Sequence, residues 1–115
     1  MIGSLSLRIA GDPVHLTTAR SFAGSIARVL GLDEGIRQDI RLAVSELATI
    51  LIRSGVPEVT VFAQIETDAP LLRLQTDGTM PSIPPETSAL LSAIGSAVWS
   101  NDQPWAIRLG GAVSS

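Results

Sequence analysis

The sequence contains no cysteine and no lysine, and only one of its 115 residues is a histidine. Without cysteine there is no disulfide, no thiolate nucleophile and no cysteine-bound zinc, so cysteine usage does not report the redox compartment. Without lysine the chain lacks a phosphate-loop lysine, a Schiff-base amine and a Ser-Lys dyad. A catalytic function would therefore depend on carboxylates, which the 11 Asp and Glu residues supply.

Long apolar runs, basic clusters and aromatic side chains are also scarce. The longest apolar runs are short, as at residues 48–52, whereas a membrane span needs about 20 residues. The N-terminus has no basic start followed by an apolar stretch, so we expect a cytoplasmic protein without membrane contact. The net charge is −3, the arginines are scattered and aromatics make up 3% of the chain, so nucleic acid is not an expected partner.

The composition predicts one domain, residues 1–115, with a partly hidden surface. Charged residues make up 17% of the chain and hydrophobic residues 45%, whereas about 25% of an average soluble chain is charged. So few charges leave little to cover the outside, which favours a protein partner or a homodimer. The tail at 110–115 is expected to be loose.

The first half of the chain predicts a strand followed by two helices. Leu5, Leu7 and Ile9 alternate with polar residues, which is typical of a half-buried strand. Apolar residues then recur at helical spacing from Asp12-Pro13 to Gly31, and again from Asp33 to Gly55, with capping residues at the starts and glycines at the ends.

The second half predicts a hairpin, a loop, a helix and a final strand. Alternating apolar residues at 59–65 and at 72–74 flank a turn at 67–70. A proline-bearing loop leads to a helix over 86–99 that includes Val98 and Trp99, and 101–104 break it. Trp105, Ile107 and Leu109 alternate as the last strand.

This order of elements predicts an α/β (α+β) two-layer sandwich. Both long helices would pack on one face of a mixed or antiparallel sheet. The other sheet face would be open and apolar, a natural place for a partner.

The most informative segment is Arg41-Leu42-Ala43-Val44-Ser45-Glu46-Leu47 on the second helix, continuing to Gly55. With residues 19–22 before it and Thr76-Asp77-Gly78 after it, it resembles the histidine-kinase-like ATPase (GHKL) superfamily, in particular its anti-sigma-factor serine kinase branch. The resemblance covers about residues 5 to 80 and includes the order of elements. It implies a shortened form of that fold, with ATP and Mg²⁺ as the family's cofactors.

The resemblance assigns Glu46 as the catalytic base and places Ile50 where the family has a magnesium-binding Asn. Residues four apart share a helix face, so both side chains of a Glu-x-x-x-Asn pair reach one phosphate group. Isoleucine has no oxygen to offer a hard cation. The metal ligand is therefore missing from this sequence.

The adenine-binding pattern of the family, Asp-x-Gly-x-Gly, is similarly altered. Thr76 stands at the aspartate, Gly78 at the first glycine and Met80 at the second, and Asp77 is one step out of register. A neutral hydroxyl is a weaker acceptor than a carboxylate, and methionine obstructs a close backbone approach. The glycine-rich lid is not found, which makes the chain a degenerate member by this resemblance.

Simpler interpretations of the same residues remain open. Glu46 is equally explained as a solvated or Arg53-paired side chain, and Asp77-Gly78 as an ordinary turn. Arg20 is an ordinary surface charge unless helix one docks a partner, as the resemblance implies, in which case it would pair with an acidic group.

Three functions follow from these alternatives. The favoured one is an anti-sigma-factor-like regulatory module that binds a sigma factor or a related regulatory protein, with a degenerate ATP site. The second is an active ATP-dependent serine kinase acting on an anti-sigma-factor antagonist, and the third is a structural dimerisation domain.

Overall fold

In the order of the sequence, two long helices lie between the first strand and the other strands of the sheet. A computed structural model describes residues 4–65, 70–77, 80–93, 97–100 and 105–109. Its elements, in chain order, are β1 (Ser4–Ala10), a 3₁₀ turn (Pro13–His15), α1 (Leu16–Val29), α2 (Glu34–Arg53), β2 (Glu58–Gln64), β3 (Leu71–Gln75), α3 (Pro85–Ala93), β4 (Ala97–Ser100) and β5 (Trp105–Leu109).

Capping residues confirm the predicted start of α2 and the predicted C-terminal ends of both long helices. The carboxylate of Asp33 accepts a hydrogen bond from the backbone N–H of Ile36 at 3.0 Å and begins α2. Gly31 and Gly55 follow α1 and α2 with φ of 75° and 85°, the left-handed conformation that glycine adopts without strain. Asp12 caps the 3₁₀ turn, through the N–H of Val14, so α1 itself begins later than predicted.

The strands form one five-stranded sheet in the order β1-β2-β3-β5-β4, in which every neighbouring pair is antiparallel. The predicted hairpin is β2–β3, and the predicted last strand is β5. α1 packs against β1, whereas α2 packs against β2, β3, β4 and β5. The α+β class and the antiparallel sheet are therefore as expected.

The core lies between the helices and one face of the sheet. Trp105 is its largest fully buried side chain. The other buried strand residues alternate with outward-facing ones: Ile9, Val59, Val61, Ala63, Leu72, Leu74, Ile107 and Leu109. None of the helices in the described ranges combines the length and hydrophobicity that a membrane crossing requires.

Two expectations are wrong. The helix predicted over 86–99 ends at Ala93, and Val98 and Trp99 belong to strand β4. The open sheet face, expected to be apolar, carries mostly polar side chains on the strands whose side chains are described. Its outward-facing residues there are Ser4, Ser6, Arg8, Ala10, Glu58, Thr60, Phe62, Gln64, Leu71, Arg73, Gln75 and Ala106.

The predictions for the turn at 67–69, for Gly78, for the break at 101–104 and for the tail at 110–115 lie outside the described residues.

Candidate functional site

Glu46 and Ile50 lie together on one flank of α2. Both are half-buried, and the four-residue spacing puts them on the same side of the helix, as predicted. Ile50 packs against the hydrophobic core, so its side chain contributes to folding. Glu46 forms no ion pair with Arg53 or with any other residue of the described segments.

Thr76 and Asp77 lie away from Glu46. The Thr76 hydroxyl donates a hydrogen bond to the backbone carbonyl of Glu58 at 2.8 Å, which ties the end of β3 to the start of β2. Thr76 and exposed Asp77 line a small depression of about 140 Å³, whose other lining residues are Arg8, Glu58, Thr60 and Gln75. Arg8, Thr60 and Gln75 project from the sheet face opposite the helices, so this depression and α2 are on opposite sides of the sheet.

Met80, at the position of the second family glycine, is 7% exposed and belongs to the hydrophobic core. The Met80 side chain is thus buried, four residues after Thr76 in the sequence. The structure therefore brings Glu46 together with Ile50, and Thr76 together with Asp77, but does not bring the two pairs into one pocket.

A groove lies between the solvent-facing sides of α1 and α2. It has a volume of about 420 Å³ and is lined by Arg20, Gln38, Asp39, Arg41, Leu42 and Ser45. We call this the α1–α2 groove. Neither Glu46 nor Ile50 lines it, whereas Arg20, the predicted partner-binding residue, does.

Arg41 enters the groove by crossing α1 at Gly24. A Cβ placed on Gly24 would lie 2.9 Å from Nη1 and 3.1 Å from Cδ of Arg41. These distances are shorter than ordinary van der Waals contact, so the absence of a side chain at Gly24 is what lets Arg41 lie there. The guanidinium of Arg41 then reaches Glu34, at 3.0 Å.

Glu34 is the centre of a small polar network at the start of α2. Its carboxylate accepts hydrogen bonds from Arg37 at 2.7 Å, Arg41 at 3.0 Å and Gln38 at 3.2 Å. The hydrogen bonds from Gln38 and Arg41, together with the charges of Arg37 and Arg41, lower the pKa of Glu34. The network anchors Arg41, so the groove has one held guanidinium.

Arg20 and Leu42 complete the character of the groove. Arg20 is exposed and forms no ion pair within the described part of the chain. Leu42 is one of the few large hydrophobic side chains that the described residues expose, at 40%. The groove also contains the carboxylate of Asp39, which has an interaction of its own. An apolar contact beside two guanidinium groups suits a ligand that carries both an apolar and an acidic side chain.

Within the described ranges, no three His, Asp or Glu side chains lie close enough together to hold a metal ion.

No family model matches the chain, and no curated protein matches it.

Sequence reasoning gave no role to Gly24 or Glu34, and it named Arg41 and Leu42 only as part of the segment that carries the family resemblance. A signal for the network exists, since Glu34, Arg37, Gln38 and Arg41 are spaced three, four and seven apart and therefore share a helix face. The packing of Arg41 across Gly24 has only one weak signal in the sequence: a glycine inside a predicted helix, where alanine would be more favourable.

Proposed function

We propose that this chain is a regulatory protein-binding module of the anti-sigma-factor type, which binds a sigma factor or a related regulatory protein in the α1–α2 groove. The observation that carries the proposal is that Arg20 and Leu42 lie exposed in a groove of about 420 Å³, beside a held Arg41. The sequence resemblance suggests which class of protein is bound, and the side chains of the groove suggest how it is bound.

The groove favours a protein ligand over a small metabolite. It is open to solvent, with Arg20 on α1 and its other lining residues on α2, whereas small-molecule sites bury most of their ligand. Exposed apolar side chains rimmed by arginines are typical of the anchors of protein interfaces. An acidic helix or strand with one apolar side chain directed at Leu42 fits these groups.

A degenerate nucleotide site is the second part of the proposal. Ile50 packs against the core where the family has its magnesium ligand, the Thr76 hydroxyl is hydrogen-bonded to Glu58, and the Met80 side chain fills interior space. Each of these side chains is committed to the folded structure. ATP would find neither the metal ligand nor the carboxylate that the family uses.

The proposal is tested by binding measurements with purified partners. Each alternative sigma factor of the same genome is titrated against the chain, and we expect one of them to bind. Arg20→Glu and Leu42→Asp should each weaken that binding at least tenfold. Arg28→Glu, the same charge reversal on an exposed residue of α1 outside the groove, should leave it unchanged.

Binding that survives both groove substitutions would place the partner elsewhere and overturn the proposal, as would the absence of binding to every sigma factor. Calorimetric titration with ATP and Mg²⁺ tests the second part. We expect no heat of binding, and micromolar affinity would show a working nucleotide site and favour the kinase alternative.

A further inference from the structure

The methylene groups and the guanidinium group of Arg41 make two different contacts. The methylene groups lie across Gly24, where a Cβ would stand 3.1 Å from Cδ of Arg41. The guanidinium group extends beyond that contact to Glu34, with Nη2 3.0 Å from Oε2 of the carboxylate. Packing between two helices thus fixes the methylene groups, whereas the guanidinium group is fixed by an ion pair near the surface, in which Glu34 is 56% exposed.

The Glu34 carboxylate has other donors besides Arg41. Oε1 accepts a hydrogen bond from Nη2 of Arg37 at 2.7 Å, the shortest contact in the network. Oε2 accepts one from Nε2 of Gln38 at 3.2 Å as well as the one from Arg41. If Arg41 turned away, each oxygen would keep one donor and water would solvate the rest of the carboxylate. An exposed ion pair contributes little to stability, so the release of Arg41 costs little free energy.

The α1–α2 groove offers an acidic ligand one free arginine and one occupied arginine. Arg20 is exposed and forms no ion pair with the described residues. Arg41 lines the same groove, but Glu34, which does not line it, neutralises its charge.

A second carboxylate has to compete with Glu34 for the guanidinium group of Arg41. A bidentate pair with a carboxylate uses two guanidinium nitrogens. In Arg41, Nη1 already lies against Gly24 and Nη2 is bonded to Glu34. An acidic side chain in the groove therefore pairs fully with Arg41 only after the guanidinium group has left Glu34.

We infer that Glu34 is a built-in competitor of the partner, which binds fully only when the Arg41 guanidinium group exchanges Glu34 for an acidic side chain of the partner. Arg37 makes the exchange possible because it keeps the Glu34 carboxylate paired. A neutral partner offers nothing in exchange for Glu34, so the contact selects for acidic partners. The inference rests on the proposed function, since it concerns the same groove and the same partner.

Glu34→Gln tests the inference, because it removes the charge and keeps an oxygen that accepts hydrogen bonds. The sigma factor that binds the wild-type chain should bind Glu34→Gln with a dissociation constant about threefold lower, since an exposed ion pair is no longer broken on binding. The free energy of unfolding should fall in the same variant, whereas damage to the fold would weaken binding as well. Glu86→Gln, the same change on an exposed residue of α3 outside the groove, should leave the dissociation constant unchanged.

A double-mutant cycle with Arg41→Ala separates competition from repulsion. A carboxylate that only repels an acidic partner does so whether or not Arg41 is present. A competitor for Arg41 has no effect once Arg41 is gone. Glu34→Gln should therefore tighten binding in the wild-type background and leave it unchanged in the Arg41→Ala background.

Arg37 provides a second cycle from outside the groove. It does not line the groove, but Arg37→Ala leaves Arg41 as the charged partner of Glu34. The sigma factor should then bind about threefold more weakly, because the exchange now leaves the carboxylate without an ion pair. In a Glu34→Gln background, Arg37→Ala should not change the dissociation constant, and this result would also show that the variant is folded.

The outcomes distinguish the inference from the proposed function. Sigma-factor binding that Glu34→Gln weakens or leaves unchanged would overturn the inference alone, as would equal tightening with and without Arg41. The same holds if Arg37→Ala has equal effects in both Glu34 backgrounds. If no sigma factor binds the wild-type chain, the proposed function fails and the inference fails with it.

Discussion

The side chain of Arg41 lies across Gly24, with Nη1 and Cδ 2.9 Å and 3.1 Å from the place where a Cβ would stand. The missing side chain at Gly24 of α1 leaves a space, which the methylene groups of Arg41 from α2 fill. The guanidinium group of Arg41 pairs with Glu34. This relationship sets where one positive charge of the α1–α2 groove is held.

Gly24→Ala should displace Arg41 without unfolding the protein. Alanine gains about 1 kcal/mol of helix propensity over glycine. The added methyl group pushes a flexible side chain and loosens an exposed ion pair, which contributes little to stability. We expect the free energy of unfolding to stay within about 1 kcal/mol of wild type, and partner binding in the groove to weaken. Urea denaturation and titration measure the two effects.

The control for this prediction is Gly24→Ala in an Arg41→Ala background. With no arginine to displace, the alanine should raise the free energy of unfolding by about 1 kcal/mol. Equal effects in the two backgrounds would mean that Arg41 does not occupy the space at Gly24.

Gly11→Ala should be strongly destabilising. A Cβ at Gly11 would overlap the backbone carbonyl oxygen of Val56 and lie 3.0 Å from its carbon, and backbone atoms cannot rotate away. We expect a loss of about 3 kcal/mol in the free energy of unfolding by urea denaturation. Gly35→Ala is the matched control, because its nearest neighbour, Oδ1 of Asp33, is at an ordinary 3.6 Å, and it should be neutral or slightly stabilising. Similar losses for both variants would refute the steric explanation.

The Glu34 network should make the free energy of unfolding depend on pH. Hydrogen bonds from Gln38 and Arg41 lower the pKa of Glu34 below its ordinary value of 4.5 in the folded state. The ionised carboxylate therefore stabilises the fold above the unfolded-state pKa, and this contribution is lost as the pH falls through the lowered folded-state pKa. In urea denaturation, the advantage of wild type over Glu34→Gln should shrink between pH 7 and pH 3.

Salt is the control for the same pair of proteins. Because these groups are exposed, about 1 M NaCl should reduce the difference at pH 7 by screening. A wild-type advantage that is constant with pH would show that the carboxylate charge does not contribute.

Ile50→Asn introduces the residue that binds magnesium in the family that the sequence resembles, but it should not create nucleotide binding. Ile50 packs half-buried against the core, so the polar replacement should lower the free energy of unfolding by about 1–2 kcal/mol, against about 0.5 kcal/mol for Ile50→Val. Calorimetry with ATP and Mg²⁺ should show no binding, because Thr76 and Met80 are unchanged. Micromolar binding by Ile50→Asn would mean that one oxygen was all the site lacked.

Local chemistry explains why much of the fold was predictable. Asp33 caps α2, and Gly31 and Gly55 end α1 and α2. The alternation of apolar and polar residues around Val59 and Val61 indicates which face of β2 is buried. Each of these signals acts over a few residues, so the sequence carries it without knowledge of the tertiary structure.

Strand β4 was mispredicted because its signal is not local. Val98 and Trp99 lie opposite Arg108 and Ile107 of β5, and it is this pairing across the sheet that makes four residues a strand. On its own the segment is too short for periodicity to distinguish a strand from the end of a helix.

The site was predictable only in part, for a similar reason. The spacing of Glu46 and Ile50 within one helix puts them on one face, as predicted. The α1–α2 groove depends on how two helices lie against each other, so Arg20 and Leu42, 22 residues apart in the sequence, meet only after folding.

The pairing of β1 with β2 has a consequence for synthesis on the ribosome. β1 leaves the exit tunnel before both long helices, whereas its neighbour β2 is made only after them. Because helices form from nearby residues and sheets from distant ones, the nascent chain should first dock α1 onto α2 as a helical hairpin. β1 then stays without its neighbour until translation of β2 lets the two strands pair.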